Sequence, residues 1–369
     1  MRVLVVGAGP TGLVLALALR QRGIACRLVD RATEPSRHSK ALGVQARTLE
    51  VMERLGLAER FLAASLPVRA LVLHLNGGGA APARLVLPEV HPRYPALVSL
   101  PQAETERLLL EAGGAAPERG VEFVGLDGAA ALLRHADGRE ERDAGADWIV
   151  GCDGAHSAVR RAVGAAFPGE RYPQRFILAD CQVQGLEPSA VQVFPTPSRT
   201  LAFIPLPDGR WRAIAVLPPD AEVPEEPTLT PFAQDGVRLS GLDWYSTFRI
   251  SHRMATRFRH GRVVLAGDAA HIHSPVGGQG MNIGVQDAWS LAAALAEGEA
   301  AVDRWAAERE ALARRVLRAT DLATRMVTAQ GRITVWFRNR VLRTVASRPP
   351  LVRRVVRAVA GLNYPAPPD

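Results

Sequence analysis

Residues 3–30 leave a chain like this few ways to fold. Val3-Leu4-Val5-Val6 reads as a buried strand, Gly7-Ala8-Gly9-Pro10-Thr11-Gly12 as a glycine-rich turn, and Leu13–Arg22 as a helix that Gly23 stops. Cys26–Asp30 follows as a second strand, which completes a βαβ unit. Each glycine of the turn has its own duty. The first permits the tight bend, the second lets backbone approach a pyrophosphate, and the third lets helix and strand pack closely. The helix N-terminus, headed by Pro10 and Thr11, offers unpaired N–H groups to an anion. Asp30 stands 18 residues after Gly12, where a carboxylate accepts from ribose hydroxyls, with Arg31 beside it. The unit binds a dinucleotide; by itself it does not separate FAD from NAD.

A second segment makes that choice. Val263–Ala266 reads as a buried strand running into Gly267-Asp268, and a turn with Pro275, Gly277, Gly278 and Gly280 precedes a helix that begins near Met281-Asn282. Asp268 supplies a carboxylate for ribityl hydroxyls. Glycine-rich backbone can lie along an isoalloxazine ring, and a helix N-terminus aimed at that ring stabilises the anion of reduced flavin. Together the two segments read as a site for non-covalently bound FAD.

Between them the chain changes character. Residues 45–64 and 103–112 read as helices, and residues 77–83 as a surface loop. Trp148–Val150 is a short strand that ends in Cys152-Asp153-Gly154. From about Tyr172 to Ile250 short β-like runs alternate with proline-rich turns such as Pro205-Leu206-Pro207-Asp208-Gly209. The fold expected is therefore α/β: a Rossmann-like FAD-binding domain from residues 1–171 and 251–300, and an inserted, mostly antiparallel β-sheet substrate domain over 172–250. C-terminal helices over 301–369 complete it. Phe176, Leu178, Phe194, Phe203, Ile204, Trp211, Trp244 and Phe248 are expected on the inner face of the sheet, roofing an apolar cavity. No arginine there stands out as a clamp for a substrate carboxylate.

The stretch Gly261–Leu295 resembles the Gly-Asp motif of the class A FAD-dependent monooxygenases, the para-hydroxybenzoate hydroxylase-like aromatic hydroxylases. The segment Cys152-Asp153-Gly154-Ala155-His156-Ser157-Ala158-Val159-Arg160 is similar to their Asp-Gly motif, which serves FAD and NAD(P)H. Arg37, Arg47 and Gln102 stand where the family contacts FAD; the resemblance implies Arg47 at the pyrophosphate and Gln102 at the ribityl chain. It runs from residue 1 to about 297 and more loosely to Tyr364-Pro365. The resemblance implies transient NADPH or NADH as reductant, then O2 addition to give a flavin C4a-hydroperoxide that hydroxylates a phenolic or other hydrophobic aromatic ring. Epoxidation, reduction or desaturation, and a non-oxygenase isomerase or cyclase are the alternatives. His271, His273 and Pro275 flank the ring position; a histidine there is either a base for a substrate hydroxyl or a loop residue bonding backbone. Asp287-Ala288-Trp289-Ser290-Leu291 and Asp303-Arg304-Trp305 depart from the family pattern and leave the helix packing around them open.

Composition sets limits on partners. The net charge of +8 is concentrated: Arg304 to Arg357 contain 14 arginines against Glu308, Glu310 and Asp321. A basic excess confined to one tail does not make the chain a nucleic-acid binder. The tail, with Arg332 to Arg340 apolar on one side, reads first as helices packed on the FAD domain with solvated arginines. Its second reading is a peripheral membrane helix. Cys26, Cys152 and Cys181 form neither a disulfide framework nor a metal-ligand pattern, and no signal segment precedes the first strand, so a cytoplasmic monomer or dimer without metal is expected.

Overall fold

The computed structural model describes residues 1–36, 41–75, 82–113, 116–196, 199–275, 277–328 and 332–368. The elements that build the site begin with β1 (Arg2–Val6), α1 (Pro10–Gln21), β2 (Ala25–Asp30), α2 (Ala46–Arg54), β3 (Ala70–Leu73), β4 (Ala83–Val86), α3 (Gln102–Glu111) and β5 (Trp148–Gly151). Then come β6 (Arg175–Gln184), β7 (Ala190–Pro195), β8 (Thr200–Pro205), β9 (Trp211–Leu217), β10 (Arg238–Phe248) and β11 (Val263–Leu265). The helices α4 (Gly280–Glu297), α5 (Glu299–Val327), α6 (Arg332–Ala346) and α7 (Pro349–Val359) close the chain.

The first sheet runs β11-β5-β1-β2, with Arg259–His260 and Glu118–Arg119 at its edges. Its four central strands are parallel, and one register row reads Leu28, Val5, Val150, Val264. All four residues are at most 1% exposed, as expected of a parallel sheet covered on both faces. Helix α1 is apolar nearly all round and buried on most sides, and α4 packs along it.

The second sheet runs β10-β6-β9-β8-β7-β3-β4. It is antiparallel except where Ala190 of β7 pairs with Ala70 of β3 in parallel. Residues 172–250 therefore do not build it alone, because two strands come from residues 70–86. Its two faces differ. Ile177, Phe194, Phe203 and Trp211 lie on one face in a closed core with Phe232. Phe176 and Phe248 stack at 5.6 Å on the other, which also carries Leu178, Ile204, Ile214 and Trp244. Phe194, Phe203 and Trp211 thus leave the inner face on which they were expected. A strand alternates sides at every residue, and which side each run presents is decided by register with its neighbours.

Other departures are local. The helical stretch expected over 45–64 breaks after Arg54 and resumes at Ala58, because Gly56 takes a φ of +74°. Most of the expected 77–83 loop lies outside the described residues, and Ala83 already starts β4. Helix α7 is packed through Val352 and Val356 against Ala46 and Ala96. No helix among the described residues is long and apolar enough to cross a membrane.

Candidate cofactor site

The glycine turn, the Cys152-Asp153-Gly154 turn and the Gly267-Asp268 turn sit at the ends of β1, β5 and β11, three adjacent strands of one sheet. Three close approaches show how tightly they meet. A Cβ on Gly7, whose φ is +104°, would lie 2.4 Å from the Cys152 carbonyl oxygen. Thr11 Oγ1 occupies the space of a Cβ at both Gly267 (2.6 Å) and Gly284 (2.5 Å). Gly284 is a residue that sequence reasoning passed over; its signal is its place on the face of α4 that meets α1. The DG, GD and glycine-loop segments are one packed unit.

Within that unit Gly9 and Gly154 are different. A Cβ on either would meet no atom within 4 Å, so the glycine turn is open above its second glycine. Gly9 is also the N-cap of α1 and no side chain caps the helix, which leaves its first N–H groups facing that space. Helix α4 likewise starts at Gln279 without a side-chain cap. Asp30 Oδ2 accepts from the Ala8 N–H at 2.6 Å, which holds the carboxylate at the mouth of the turn. Asp153 Oδ2 accepts from the Ala158 and Val159 N–H groups at 2.6 and 3.1 Å, while its Oδ1 is buried with no partner among the described residues. Asp268 is exposed although Ala266, Gly267, Ala269 and Ala270 around it are buried. Desolvation nevertheless raises its pKa, with His271 opposing. Exposure and desolvation agree only if the carboxylate looks into a recess within the protein rather than at bulk water. An open glycine turn, two uncapped helix ends, and a buried carboxylate oxygen without a partner among the described residues fit a phosphate- and hydroxyl-bearing cofactor.

The remaining residues divide. Pro275 and Gly277 are exposed on the loop before α4, and Gly278, Gly280 and Met281 are half-buried there. The Asn282 side chain is fully used inside the protein. Its Oδ1 accepts from Gln45 N and Thr48 Oγ1, and its Nδ2 donates to the Gly43 and Gly278 carbonyls. Only its backbone N–H is left for a cofactor. Arg160 is buried, gives its guanidinium to the Ala155 and Ala269 carbonyls at 2.8 Å each, and lies 3.8 Å over Phe167. It clasps the Asp-Gly turn to the Gly-Asp turn. Arg47 pairs with Glu50 and gives Nη2 to the Tyr364 carbonyl at 3.1 Å; no hydrogen bond among the described residues joins it to the glycine turn. Gln102 heads α3 and donates to Glu106 at 2.8 Å. Arg31 is exposed, and Arg37 lies outside the described residues.

His271 and His273 stack with ring centroids 6.0 Å apart and are only 1% and 8% exposed. His271 Nε2 bonds Asp287 Oδ2 at 2.7 Å. Asp287 also accepts from the Gly267 N–H at 3.2 Å and from Arg309 Nε at 2.5 Å. Burial pushes the Asp287 carboxyl upward, but Arg309 and His271 outweigh it and the net shift is down. Asp287, in the Asp-Ala pair that the departing residues follow, thus ties α4 and α5 to the Gly267-Asp268 turn. The departures at 289–290 and 305 pack together, with Trp305 Nε1 donating to Ser290 Oγ at 3.0 Å.

Burial, with His271 adding to it, lowers the His273 pKa from 6.5 to about 4. An unfolded chain then binds the extra proton between pH 6.5 and 4, and the folded one does not. Stability should be whole above pH 6.5 and fall through that window by on the order of 3 kcal/mol, flattening below it. Urea titrations of His273→Asn against the parent check this. A pH slope that survives the substitution unchanged would remove His273 as its source.

The comparisons with known proteins agree with this geometry. Residues 1–320 match the FAD binding domain family. The chain belongs to the class A FAD-dependent aromatic hydroxylases. It is 36% identical to 6-methylpretetramide 4-monooxygenase of Streptomyces rimosus over 98% of its own length and 69% of that protein's. It is 33% identical to pentachlorophenol 4-monooxygenase of Sphingobium chlorophenolicum over 89% and 65%. An anhydrotetracycline hydroxylase from Streptomyces rimosus superposes with a TM-score of 0.79 at 31% identity, covering 100% of this chain and 77% of that one. This aromatic-hydroxylase chain thus spans about two thirds of the length of the curated relatives.

Proposed function

We propose that this protein is an FAD-dependent monooxygenase that consumes NADH or NADPH and O2 to hydroxylate a neutral, ring-containing aromatic substrate. The observation that carries the reading is the packing of three turns into one unit through Gly7, Thr11 and Cys152, with open space left above Gly9. Bound FAD would supply the redox and oxygen chemistry. The protein's own residues hold and orient it. The Gly7–Gly12 turn and the α1 N-terminus would take the pyrophosphate, Asp30 the ribose, and Asp268 and Asp153 the hydroxyls of the ribityl chain. The backbone of Pro275 and of Gly277–Met281 would lie along the ring, and Arg31, Arg47 and Gln102 would border the phosphates and sugar; Arg37, outside the described residues, is assigned there by the resemblance alone. His271 acts here as a positioning residue, since its Nε2 is committed to Asp287 and its ring is buried.

The substrate wall follows from the second sheet. Ala202, Ile204, Ile214, Trp244 and Phe248 are half-buried on its open face, although β8 and β9 are central strands. On the same face Arg212 makes a bidentate pair with Asp180 at 2.8 Å on both arms, with its guanidinium 4.9 Å from the Trp244 ring. Sequence reasoning picked out no arginine here as a carboxylate clamp. Because Asp180 neutralises it, the wall suits an apolar ring better than a carboxylate. A cytoplasmic setting, with reduced nicotinamide at hand and three free cysteines, accords with this chemistry.

The experiment is NAD(P)H oxidation by the FAD-loaded protein with and without candidate phenols and polycyclic aromatics, using isotopically labelled O2. Substrate-stimulated oxidation with label in the product is the expected result. If no candidate stimulates oxidation while FAD stays bound, the monooxygenase reading is wrong. Asp268→Ala is the companion variant. Loss of a charged acceptor should weaken FAD binding by about 10- to 100-fold, and equal FAD occupancy would remove Asp268 from the site.

A further inference from the structure

The outward side of α6 carries residues that a merely solvated helix does not need. Trp336 and Phe337 are each 62% exposed. Arg340 and Arg343 follow Trp336 by four and seven residues, so they share its side of the helix, and the Arg340 guanidinium lies 5.9 Å from the Trp336 ring. The residues next to this pair pin the helix to the protein. Arg338 is buried and gives Nη2 to the Pro195 carbonyl at 3.1 Å, and Asn339 Nδ2 donates to the Leu75 carbonyl at 2.7 Å. The direction in which Trp336 and Phe337 point is therefore set by contacts, not left to chance.

Charge adds an independent observation. Residues 322–368 contain no aspartate or glutamate. Among the described residues, Arg340, Arg343, Arg348, Arg353, Arg354 and Arg357 have no carboxylate within ion-pair distance. On α7, packed beside α6, Val355 is 46% exposed between those arginines. Solvation accounts for unpaired arginines but not for an outward tryptophan–phenylalanine pair. An apolar protein partner accounts for the pair but leaves the cations uncompensated. A single-stranded nucleic acid would serve the arginines and the aromatic rings, yet it gives no place to Val355 or to Leu322, which is 63% exposed on α5. An anionic lipid surface serves all three: phosphates for guanidinium groups, the headgroup layer for aromatic rings, and the acyl boundary for aliphatic side chains.

We propose that α6 and α7 form a peripheral docking surface for an anionic lipid bilayer. The FAD-loaded full chain should co-sediment with phosphatidylcholine vesicles that contain phosphatidylglycerol and bind at least about 10-fold more weakly to phosphatidylcholine alone, with binding lost as salt rises. Trp336→Ser with Phe337→Ser should weaken binding to the anionic vesicles by about 10-fold or more, since two rings leave the interface. Arg340→Glu with Arg343→Glu should abolish it. Both pairs of substitutions lie on exposed positions, and unchanged FAD content and thermal midpoint show that the fold is intact. Binding that is absent from anionic vesicles at low salt overturns the proposal, as does binding indifferent to loss of the two rings. Absence of vesicle binding together with self-association lost in the Trp336/Phe337 variant would assign the surface to a second copy of this chain. Absence of vesicle binding with oligonucleotide binding lost in that variant would assign it to nucleic acid.

Discussion

Asp287→Ala should cost this protein about 3–5 kcal/mol of folding free energy, the range for removing one partner from a buried ion pair. The carboxylate is 1% exposed, and the Arg309 side chain it neutralises is 9% exposed. Alanine would strand that guanidinium in the interior without a counter-charge and strip the Gly267 N–H and His271 Nε2 of their acceptor. The effect should reach the cofactor as well, because Gly267 precedes Asp268 directly. Arg309→Met with Asp287→Ala removes both charges and should be less destabilised than the sum of the two single variants. Denaturant titration of the four proteins measures the coupling. A single-variant loss below about 1 kcal/mol would show the triad to be incidental. Because the Asp287 carboxyl is held below its usual range, this contribution is present above the unfolded carboxylate pKa. It is lost as pH falls through the folded one.

The second large effect separates two glycines of the same turn. Gly12→Ala places a methyl 1.9 Å from the Gly7 carbonyl oxygen, and Gly7 N is itself bonded to the Val29 carbonyl at 2.8 Å. Backbone cannot yield there without disturbing β1 and β2, so a loss of about 3 kcal/mol or more is expected in the protein without cofactor. Gly9→Ala should behave in the opposite way. Its φ of −78° and ψ of −177° suit any residue, and its methyl would meet nothing in the protein. Cofactor-free stability should change by less than about 0.5 kcal/mol. FAD affinity should nevertheless fall by about 10- to 100-fold, or roughly 1.4–2.8 kcal/mol, because the methyl fills the space left for the pyrophosphate. Unfolding curves and FAD fluorescence titrations of the two variants give the contrast. Normal FAD binding by Gly9→Ala would move the pyrophosphate elsewhere.

Much of the architecture was legible because it is written in local chemistry. The strand, glycine turn and helix of residues 2–21 need neighbouring residues only, and so does the strand that leads into Gly267-Asp268. What escaped depends on partners distant in the chain. The residues after Asp287-Ala288 looked like a departure from a motif, and only the arrival of Trp305 on Ser290 shows how they pack. Arg160 and Asn282 have the composition of ligand-binding residues, yet their hydrogen bonds are spent on carbonyls of other segments. The alternation of Phe194 and Phe203 was visible, but the side they face is set by pairing with Leu201 and Ala213. The strands at 70–73 and 83–86 are too short and too near the Gly77–Gly79 run to announce their sheet.

The threading of those two strands has a consequence for how the chain matures. The parallel sheet cannot close until β11, beginning at residue 263, has taken its place beside β5, and the antiparallel sheet needs β3 to find β7 more than a hundred positions downstream. The antiparallel sheet has all its strands once residue 248 is made, whereas the parallel sheet waits for residue 265. Residues 1–171 leave the ribosome with open strand edges, and β3 waits without its neighbour. Synthesis through about residue 265 is thus the threshold by which both sheets have all their strands, and the interval before it is when this chain most needs protection from aggregation.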